Sequence, residues 1–358
     1  MTLSRRAFAQ VLGAGAAAAA LPFPRLVFAK TPTLSPVRLN ANENPYGPSP
    51  AAIAAMRDAL SLSSRYPDDE ADALAADIAK LHGLSADEVL LGDGSSEILK
   101  LVAAAYTSPS RSVVIADPTF EAIGHYARAT GAEVVKVPLD SSFAHDLGKM
   151  APANVGVVYI CNPNNPTASI TPKAAMRAFL DTVPATTMVL VDEAYHHYAT
   201  SSDYESVVPL VKSKPNLIVA RTFSKIYGMA GLRAGYAVAN RDVIKKLDAQ
   251  KAWDSMNLMA LVAARASLAD SGFVAEGRRR NSATRAHVVE SVGKMGYKVI
   301  PSDANFVMID LRRDVKPVIA HMRSEGVRVG RLFPALPQHL RVTIGTPEEM
   351  QRFLEVMR

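Results

Sequence analysis

Short apolar strands alternate with helix-forming segments along the middle of this 358-residue chain, and this alternation constrains the fold more than any other feature of the sequence. Apolar, often β-branched clusters predict strands at residues 112–116, 133–138, 155–161, 188–191, 217–220 and 234–239. Strands that are joined through helices form a mostly parallel sheet, and helices then cover both of its faces. The sequence therefore predicts an α/β protein built on such a sheet.

A second, smaller α/β domain is predicted beyond the sheet, because short strand patterns and helical patterns continue to the end of the chain. The predicted large domain covers residues 51–270, and the predicted small domain covers residues 271–358. Residues 30–50 are rich in Asn, Pro and Gly, which favours an extended arm that joins the small domain. One long helix over residues 244–268 is expected to lead out of the large domain.

Charge and cysteine content argue against several classes of protein. The formal net charge is +6, but the one basic run, Arg278–Arg280, lies in a helical pattern and predicts a solvated helix face rather than a nucleic-acid site. Cys161 is the only cysteine, so no internal disulfide can form. The adjacent His196 and His197 have no further ligands at a metal-binding spacing, so no metal site is expected. Trp253 is assigned to packing, either in the core or at a dimer interface.

The first 29 residues predict an export signal rather than a part of the fold. Arg5 and Arg6 precede an apolar, Ala-rich stretch, and Val27–Ala29 fits a cleavage site. A twin arginine with these neighbours is typical of the twin-arginine export route, which predicts a periplasmic enzyme with no stable membrane insertion after cleavage. An uncleaved signal anchor and a cytoplasmic location are the alternatives.

Side chains suited to ligand binding follow the predicted strands directly. Just after the ends of apolar strands come Phe120, Asn165, Asp192, Tyr195 and Lys225. The carboxyl ends of parallel strands meet at one edge of a sheet, and the ligands of such sheets bind outside that edge. We therefore expect these five side chains to converge on one site.

Lys225 and its neighbours indicate covalent chemistry with a phosphorylated aldehyde. A lysine that a packed scaffold holds away from water has a lowered pKa, and its neutral amine can form a Schiff base with an aldehyde. Ser224 and Arg233 supply donors for a phosphate group. Ser95 and Ser96 begin a predicted helix, whose amino-terminal amides attract anions. Pyridoxal 5′-phosphate (PLP) is the cofactor that fits this set.

The remaining strand-end residues match the other requirements of PLP chemistry. Asp192 can keep the pyridine nitrogen protonated, so that the ring withdraws electrons. Tyr195 and Asn165 can form hydrogen bonds with the phenolic oxygen, and Phe120 can cover the face of the ring. The predicted catalytic residues are accordingly Lys225, Asp192 and Tyr195.

Several motifs resemble those of the class I and II aminotransferases, which have fold type I. These motifs are Asn164–Thr167, Asp192–Tyr195 and Ser224–Arg233. Within this family the chain is most similar to histidinol-phosphate aminotransferases. That likeness rests on Leu39–Pro45, Gly94–Glu97 and Leu340–Gly345. The resemblance covers roughly residues 36 to 358, and its motifs are specific in combination.

The resemblance implies a PLP-dependent transaminase that moves an amino group from an amino acid, or from histidinol phosphate, to a 2-oxo acid such as 2-oxoglutarate. It also implies a homodimer with active sites at the subunit interface, where Tyr66 reaches the cofactor phosphate of the neighbouring subunit. Arg341 matches the arginine that binds the α-carboxylate of the substrate. Arg331 is a candidate for the distal phosphate or acid group, with a plain surface position as the alternative. Tyr46 is a candidate for the entrance of the site.

Some alternatives stay open at the level of sequence. A decarboxylase or a β-lyase on the same scaffold needs the same Lys225 and Asp192. A non-catalytic protein that binds PLP or an amino acid is less consistent with the complete set of chemical residues. Ala168 stands where the family usually has glycine after Asn-Pro-Thr, which questions the conformation of that turn.

Overall fold

The computed structural model describes residues 36–151 and 155–358, so the predicted export signal at residues 1–29 lies outside the described residues. Within the two described ranges the chain forms twelve β-strands and ten α-helices. The strands are β1 (Val37–Arg38), β2 (Val89–Asp93), β3 (Ser112–Asp117), β4 (Val134–Pro138), β5 (Val155–Cys161), β6 (Met188–Asp192), β7 (Leu217–Thr222), β8 (Ala234–Ala239), β9 (Lys298–Val299), β10 (Phe306–Asp310), β11 (Val327–Arg328) and β12 (His339–Thr343).

The helices follow the pattern of apolar and capping residues in the sequence. They are α1 (Pro50–Ala59), α2 (Asp68–His82), α3 (Ser95–Tyr106), α4 (Ala122–Ala129), α5 (Lys173–Thr182), α6 (Arg241–Asp248), α7 (Leu258–Ala269), α8 (Ser271–Lys294), α9 (Val315–Ser324) and α10 (Pro347–Met357). Over the described ranges, no single helix is long and apolar enough to cross a membrane. α7 and α8 meet that test only when they are taken together, as a pair bent by 82°.

The largest sheet has seven strands in the order β2-β8-β7-β6-β5-β3-β4. The pairs from β7 through β4 are parallel, whereas β8 runs antiparallel to both β7 and β2. Because β8 runs in the opposite direction, its first residue lies at the same edge as the last residues of its neighbours. This edge therefore collects the turns that follow the other strands and the turn that precedes β8.

Helices cover both faces of this sheet, because alternate strand residues point to opposite sides. On one face, Val158 and Val191 are buried in a core with side chains from α2, α5 and α7. On the other face, Tyr159 and Leu190 are buried in a core with side chains from α3, α4 and α6. The predicted α/β fold, with a mostly parallel sheet covered by helices, is confirmed. Since both faces are filled, the sheet edge is where this part of the fold can bind a ligand.

A smaller antiparallel sheet, in the order β12-β10-β9, forms a second core with α8, α9 and α10. β1 pairs in parallel with β11 through Val37 and Val327, and Leu39 is buried in this second core. The arm thus packs against the C-terminal part of the chain. The predicted limit at residue 270 falls between α7, which ends at Ala269, and α8, which begins at Ser271. The domain limits themselves stay predictions.

The single long helix expected over residues 244–268 is wrong, because the chain breaks between α6 and α7. The side chain of Asn257 caps α7 by accepting a hydrogen bond from the amide of Ala260 at 2.9 Å. Asp254, in the break, has a φ angle of +51°, which a right-handed helix does not accommodate. Trp253 lies in the same segment and is 94% exposed, so it does not pack in the core of this chain. Its position at a dimer interface stays a prediction.

Candidate active site

A cavity of about 310 Å³ lies at the carboxyl edge of the large sheet. Eleven of the thirteen predicted site residues line it; nine of them lie at or next to strand ends of the large sheet, and two come from the C-terminal part of the chain. These residues are Ser95, Ser96, Phe120, Asn165, Asp192, Tyr195, Ser224, Lys225, Arg233, Arg331 and Arg341. The convergence follows from topology, because residues far apart in sequence are brought to one edge by strands of common direction.

Tyr46 and Tyr66, the other two predicted residues, do not line this cavity. Tyr66 lies in the turn before α2 and is 80% exposed. Tyr46 lies in the arm, where the guanidinium carbon of Arg280 is 4.9 Å from the centroid of its ring. The described chain therefore does not bring these two tyrosines into the site by itself.

Lys225 follows the end of β7 and extends into the cavity. Its Nζ donates to the carbonyl oxygen of Ala41 at 3.5 Å and lies 5.5 Å from the ring centroid of Tyr195. The pKa of Lys225 is lowered to about 8, mainly by burial. The nearby cation Arg341 also lowers this pKa, and its effect is larger than the opposite effect of the Asp192 carboxylate. A substantial fraction of this amine is neutral near neutral pH, so it can act as a nucleophile or as a base.

Asp192, the last residue of β6, is buried and held by two hydrogen bonds. The hydroxyl of Tyr159 donates to its Oδ2 at 2.9 Å, and the amide of Ala194 donates to its Oδ1 at 3.0 Å. Burial raises the pKa of this carboxyl group, and the two donors and Lys225 oppose that effect. A buried carboxylate with this orientation suits a cationic nitrogen as its partner.

The turns before α3 and β8 form a cradle that fits a phosphate group. Gly94, with a φ angle of +71°, precedes α3, and no side chain of the described residues caps this helix. Arg233 Nη1 donates to Ser224 Oγ at 3.4 Å beside the free amides. A Cβ atom at Gly94 would lie 2.2 Å from Arg233 Nη2, so a side chain at this position would displace the guanidinium from its place in the cradle. Helix amides, hydroxyls and an arginine are together the donor set of a phosphate site.

Arg341, on β12, brings a buried cation to the opposite part of the cavity wall. Its Nη1 donates to Asn165 Oδ1 and its Nη2 donates to the carbonyl oxygen of Asn40, both at 2.7 Å. Its guanidinium carbon lies 5.7 Å and 5.2 Å from the ring centroids of Phe306 and Phe333. Among the described residues, its buried Nε has no hydrogen-bond partner, and the hydrogen bonds of its Nη atoms go to an amide oxygen and a backbone carbonyl rather than to a carboxylate. A desolvated guanidinium in this state is suited to bind an anion.

Arg331 also lines the cavity, but it already has a carboxylate partner that the sequence did not predict. Its Nη2 lies 2.8 Å from Oε2 of Glu121, and its guanidinium carbon lies 4.6 Å from the centroid of the Phe333 ring. Glu121 directly follows Phe120 beyond β3, so its place after a strand end was the available signal. The side chain of Arg331 is 56% exposed, so both its role at the distal end of the site and a plain surface position stay predictions.

Two further polar contacts of the site were missed from sequence. Asn42, in the arm, donates from Nδ2 to the hydroxyl oxygen of Tyr195 at 3.1 Å. Tyr159, inside β5, holds Asp192 as described above. The Asn-rich arm motif pointed toward Asn42, whereas the apolar strand around Tyr159 gave no sign of a polar role.

The two adjacent histidines lie in a buried cluster outside the cavity. The ring centroids of His196 and His197 are 3.7 Å apart, and the ring of His197 packs edge-on against Tyr227. Burial lowers the pKa of His197 to about 3, so it is neutral at ordinary pH. Over residues 36–151 and 155–358, no group of three or more His, Cys, Asp or Glu side chains is arranged to hold a metal ion.

A buried lysine of lowered pKa, an oriented carboxylate, a phosphate cradle and a buried arginine together define an enzyme that holds a phosphorylated aldehyde and acts on a small acidic substrate. The sequence profile described as aminotransferase class I and II matches residues 35–357. This chain therefore belongs to the class I and II aminotransferases.

The chain is similar to several proteins named histidinol-phosphate aminotransferase. It is 38% identical to the one from Moorella thermoacetica over 328 residues, which cover 90% of this chain and 84% of that protein. It is 40% identical to the one from Symbiobacterium thermophilum over 326 residues, which cover 90% of each. The solved structure of the enzyme from Sinorhizobium meliloti in complex with pyridoxal-5′-phosphate covers 90% of both chains, with a TM-score of 0.84 and 28% identity.

The predictions of enzyme class, cofactor and fold are thereby confirmed. The chain is a PLP-dependent aminotransferase with fold type I, and it uses an amino donor and a 2-oxo acid acceptor. The cradle beside Gly94 and the buried carboxylate of Asp192 fit the two ends of this cofactor, its phosphate and its ring nitrogen. The fold alone does not separate a transaminase from a decarboxylase, because the solved structure of L-threonine-O-3-phosphate decarboxylase from Porphyromonas gingivalis covers 89% of this chain and 97% of that one, with a TM-score of 0.80 and 22% identity.

Proposed function

We propose that this enzyme exchanges an amino group between histidinol phosphate, or an amino acid, and a 2-oxo acid such as 2-oxoglutarate. The observation that carries the proposal is the common cavity of Lys225, Asp192 and Arg341, which unites a base, a partner for the ring nitrogen and a carboxylate-binding cation. The relatives named histidinol-phosphate aminotransferase support the choice of substrate.

Nine residues of the cavity hold the cofactor in this proposal. Lys225 binds the aldehyde carbon, Asp192 holds the proton of the ring nitrogen, and Phe120 covers the ring face. Tyr195 and Asn165 orient the phenolic oxygen. The phosphate is bound by Ser95, Ser96, Ser224 and Arg233.

Lys225 also moves the proton of the reaction. Bound PLP supplies an electron-withdrawing ring, which makes the hydrogen on the amino-bearing substrate carbon acidic. After the amino group of the donor has displaced it from the aldehyde carbon, the neutral Nζ of Lys225 takes that proton, holds it, and delivers it to the former aldehyde carbon, acting first as a base and then as an acid. A pKa of about 8 suits both duties, because neither protonation state is rare near neutral pH.

Arg341 orients substrates that carry an α-carboxylate. Its unpartnered Nε and the neighbouring Nη can bind a carboxylate through two parallel hydrogen bonds. Histidinol phosphate has no carboxylate, so Arg341 serves the half-reaction of the amino acid and its 2-oxo acid. Burial destabilises the charged form of this arginine and lowers its pKa, and a bound carboxylate would offset part of that destabilisation.

The reaction is tested by the absorbance spectrum of the purified, PLP-loaded protein, recorded before and after adding single amino acids or histidinol phosphate. The lysine-linked cofactor band is expected to shift to that of the aminated cofactor with at least one donor, and 2-oxoglutarate should restore it. If none of the added donors shifts the band, the proposed substrates are wrong. Release of carbon dioxide, or of ammonia without an oxo-acid acceptor, would support a lyase instead.

We further propose a homodimer in which Tyr66 completes the neighbouring site. The support is a set of large apolar side chains left on the surface of one chain. This set comprises Ile53, Leu60, Leu62, Tyr66 and Trp253. Exposed apolar groups of this size favour association with a second copy.

Mixing two inactive variants tests the shared site. Tyr66→Ala and Lys225→Ala are each expected to be nearly inactive alone. If sites are shared, refolded or exchanged mixtures recover about a quarter of the activity, because half of the dimers are hybrids with one intact site of two. Sedimentation of the unmixed proteins gives the mass, and a monomer or an absence of recovery would contradict the proposal.

Export by the twin-arginine route is a separate proposal for residues 1–29. It is supported by Arg5 and Arg6 ahead of the Ala-rich stretch and by the family match, which begins only at residue 35. Fractionation of cells that express the full chain is expected to give a shortened protein in the periplasm. Arg5→Lys together with Arg6→Lys should retain the protein in the cytoplasm at full length. A wild-type chain that stays cytoplasmic would contradict export.

A further inference from the structure

Glu121 and Arg331 form an ion pair inside the wall of the catalytic cavity. The pair joins Oε2 and Nη2 at 2.8 Å, and both side chains are about half exposed, at 55% and 56%. Glu121 lies at the start of α4, yet its carboxylate does not cap that helix. Its contact with Arg331 is thus the main interaction of this carboxylate in the described chain.

The ring of Phe333 links this ion pair to the carboxylate site. The guanidinium carbon of Arg331 is 4.6 Å from the ring centroid, and that of Arg341 is 5.2 Å from the same centroid. The two cations therefore pack against the same ring in the wall of one cavity. A small diacid whose α-carboxylate binds Arg341 can extend the far end of its side chain toward Arg331.

The two arginines differ in what holds them. Arg341 is buried and has no carboxylate partner among the described residues, so it can bind an anion without first breaking an ion pair. Arg331 is neutralised by Glu121, but a half-exposed ion pair of this kind is weak. The pair can therefore open at little cost when another anion approaches Arg331.

We propose that Glu121 is an exchangeable counter-ion of Arg331 and sets the specificity of the distal end of the site. It pairs with the guanidinium when a substrate has no distal anion, and it yields the guanidinium to a substrate that has one. The proposal rests on the transamination proposed above, in which one cavity must accept a diacid such as 2-oxoglutarate and also a chemically different partner. Glu121 prevents Arg331 from standing unpaired beside an uncharged side chain.

Two unreactive ligands isolate the distal contact. Glutarate and pentanoate have the same chain length and differ only in the second carboxylate, and neither has an amino group to transfer. Their dissociation constants are measured by calorimetry on the PLP-loaded dimer or monomer, as purified. Glu121→Gln keeps the size of the side chain, and Glu133→Gln, an exposed acid outside the cavity lining, is the control for net charge.

Glu121→Gln is expected to strengthen glutarate binding by about two- to fivefold, which corresponds to the free energy of an exposed ion pair. The dissociation constant of pentanoate should not change. Arg331→Gln should bring glutarate to the level of pentanoate and abolish the effect of Glu121→Gln in the double variant. Equal effects on both ligands, no effect, or weaker glutarate binding would overturn the proposal, as would a wild type that binds neither ligand. Binding that behaves as expected in a protein that transfers no amino group would support the counter-ion and contradict the reaction.

Discussion

Tyr159 donates a hydrogen bond of 2.9 Å to Oδ2 of Asp192 across two adjacent parallel strands, β5 and β6. The tyrosine is fully buried, and Asp192 pairs with Cys161, two residues closer to the carboxyl edge of the sheet than Tyr159. Burial raises the pKa of Asp192, and this hydrogen bond is the largest of the effects that lower it. The hydroxyl of Tyr159 thus offsets part of the effect of burial and helps to keep Asp192 ionised, as a protonated ring nitrogen requires.

Tyr159→Phe is expected to act through Asp192 and not on the substrate. Loss of the donor raises the pKa of Asp192 further, so a smaller fraction of it is ionised at a given pH. We expect cofactor affinity to fall about two- to tenfold, the value of one hydrogen bond. The acid limb of the activity profile should move to higher pH, which a general loss of packing would not cause.

Asp192→Asn and Tyr126→Phe bracket this prediction. Asp192→Asn removes the charge itself and should reduce activity far more than Tyr159→Phe does, at every pH. Tyr126→Phe alters a tyrosine outside the cavity and should leave the profile in place. A Tyr159→Phe variant with a wild-type acid limb would show that the hydroxyl does not tune Asp192.

The lowered pKa of Lys225 predicts how cofactor capture depends on pH. Only the neutral amine attacks the aldehyde, so the capture rate of the cofactor-free protein should rise with pH and level off above about 8. The rate is followed by absorbance from about pH 6.5 to about pH 11.5. A midpoint near 10.5, the ordinary value for lysine, would show that burial does not act on this amine.

Arg341→Gln provides a second, opposite test of the same amine. Arg341 repels the protonated lysine, and its removal raises the pKa of Lys225, so the midpoint of capture should move upward. Arg352→Gln, a surface change at an exposed ion pair with Glu325, should leave the midpoint unchanged. No substrate is present in this measurement, so the role of Arg341 in carboxylate binding does not interfere.

The residues proposed as catalytic could be placed at one site from sequence because each of them lies at or just beyond the end of an apolar strand. Asp192 and Lys225 come after strands whose direction follows from the βα alternation, and topology then brings them together. Asn165 and Phe120 were found by the same reasoning. This signal is strong because it depends on backbone direction and not on side-chain detail.

Partners that belong to no strand end gave no comparable signal. Phe333 and Asn42 reach the cavity from the C-terminal part and from the arm, which only tertiary packing brings near the sheet. The pairing of Arg331 with Glu121 depends on two side chains that are 210 residues apart. The break after α6 was missed because the helical spacing of apolar residues continues across it in the sequence. In the structure the side chain of Asn257 caps a new helix, so the chain forms two helices there.

A buried ion pair between Glu193 and Arg221 supports the two strands that lead to Asp192 and Lys225, and we expect its removal to destabilise the fold strongly. The two charged groups lie 2.8 Å apart, on residues next in sequence to Asp192 and four residues before Lys225. Glu193 also accepts a hydrogen bond from the amide of Val207 at 2.8 Å. Glu193→Ala leaves the buried guanidinium without its partner, so we expect a loss of about 3–5 kcal/mol in the free energy of unfolding.

Urea denaturation compares this loss with that of an exposed pair. Glu205→Ala, which removes the partner of Arg177 at the surface, should cost less than about 1 kcal/mol. If Glu193→Ala cost no more than Glu205→Ala, the buried pair would not support the site. Cofactor is removed before the measurement, so that its binding does not mask the difference.

Ala168 adopts the left-handed conformation that the family pattern fills with glycine. Its φ angle is +62°, its side chain is buried, and its carbonyl oxygen accepts the amide of Asp303 at 2.8 Å. An alanine here costs about 1–2 kcal/mol in strain. The turn that carries Asn165 thus has the backbone conformation that glycine would adopt, and the methyl group of Ala168 is accommodated there with that strain.

Ala168→Gly and Ala178→Gly make the same chemical change in opposite backbone conformations. In helix α5, Ala178→Gly should cost about 1 kcal/mol, because glycine loses more entropy on folding. At Ala168 the relief of strain offsets that entropy and the lost burial of one methyl group, about 0.8 kcal/mol, so we expect a change near zero. Denaturation midpoints of the two variants give the comparison. Equal losses would mean that Ala168 is not strained, and the turn would then owe its shape to the contact with Asp303 rather than to tolerance of the left-handed region.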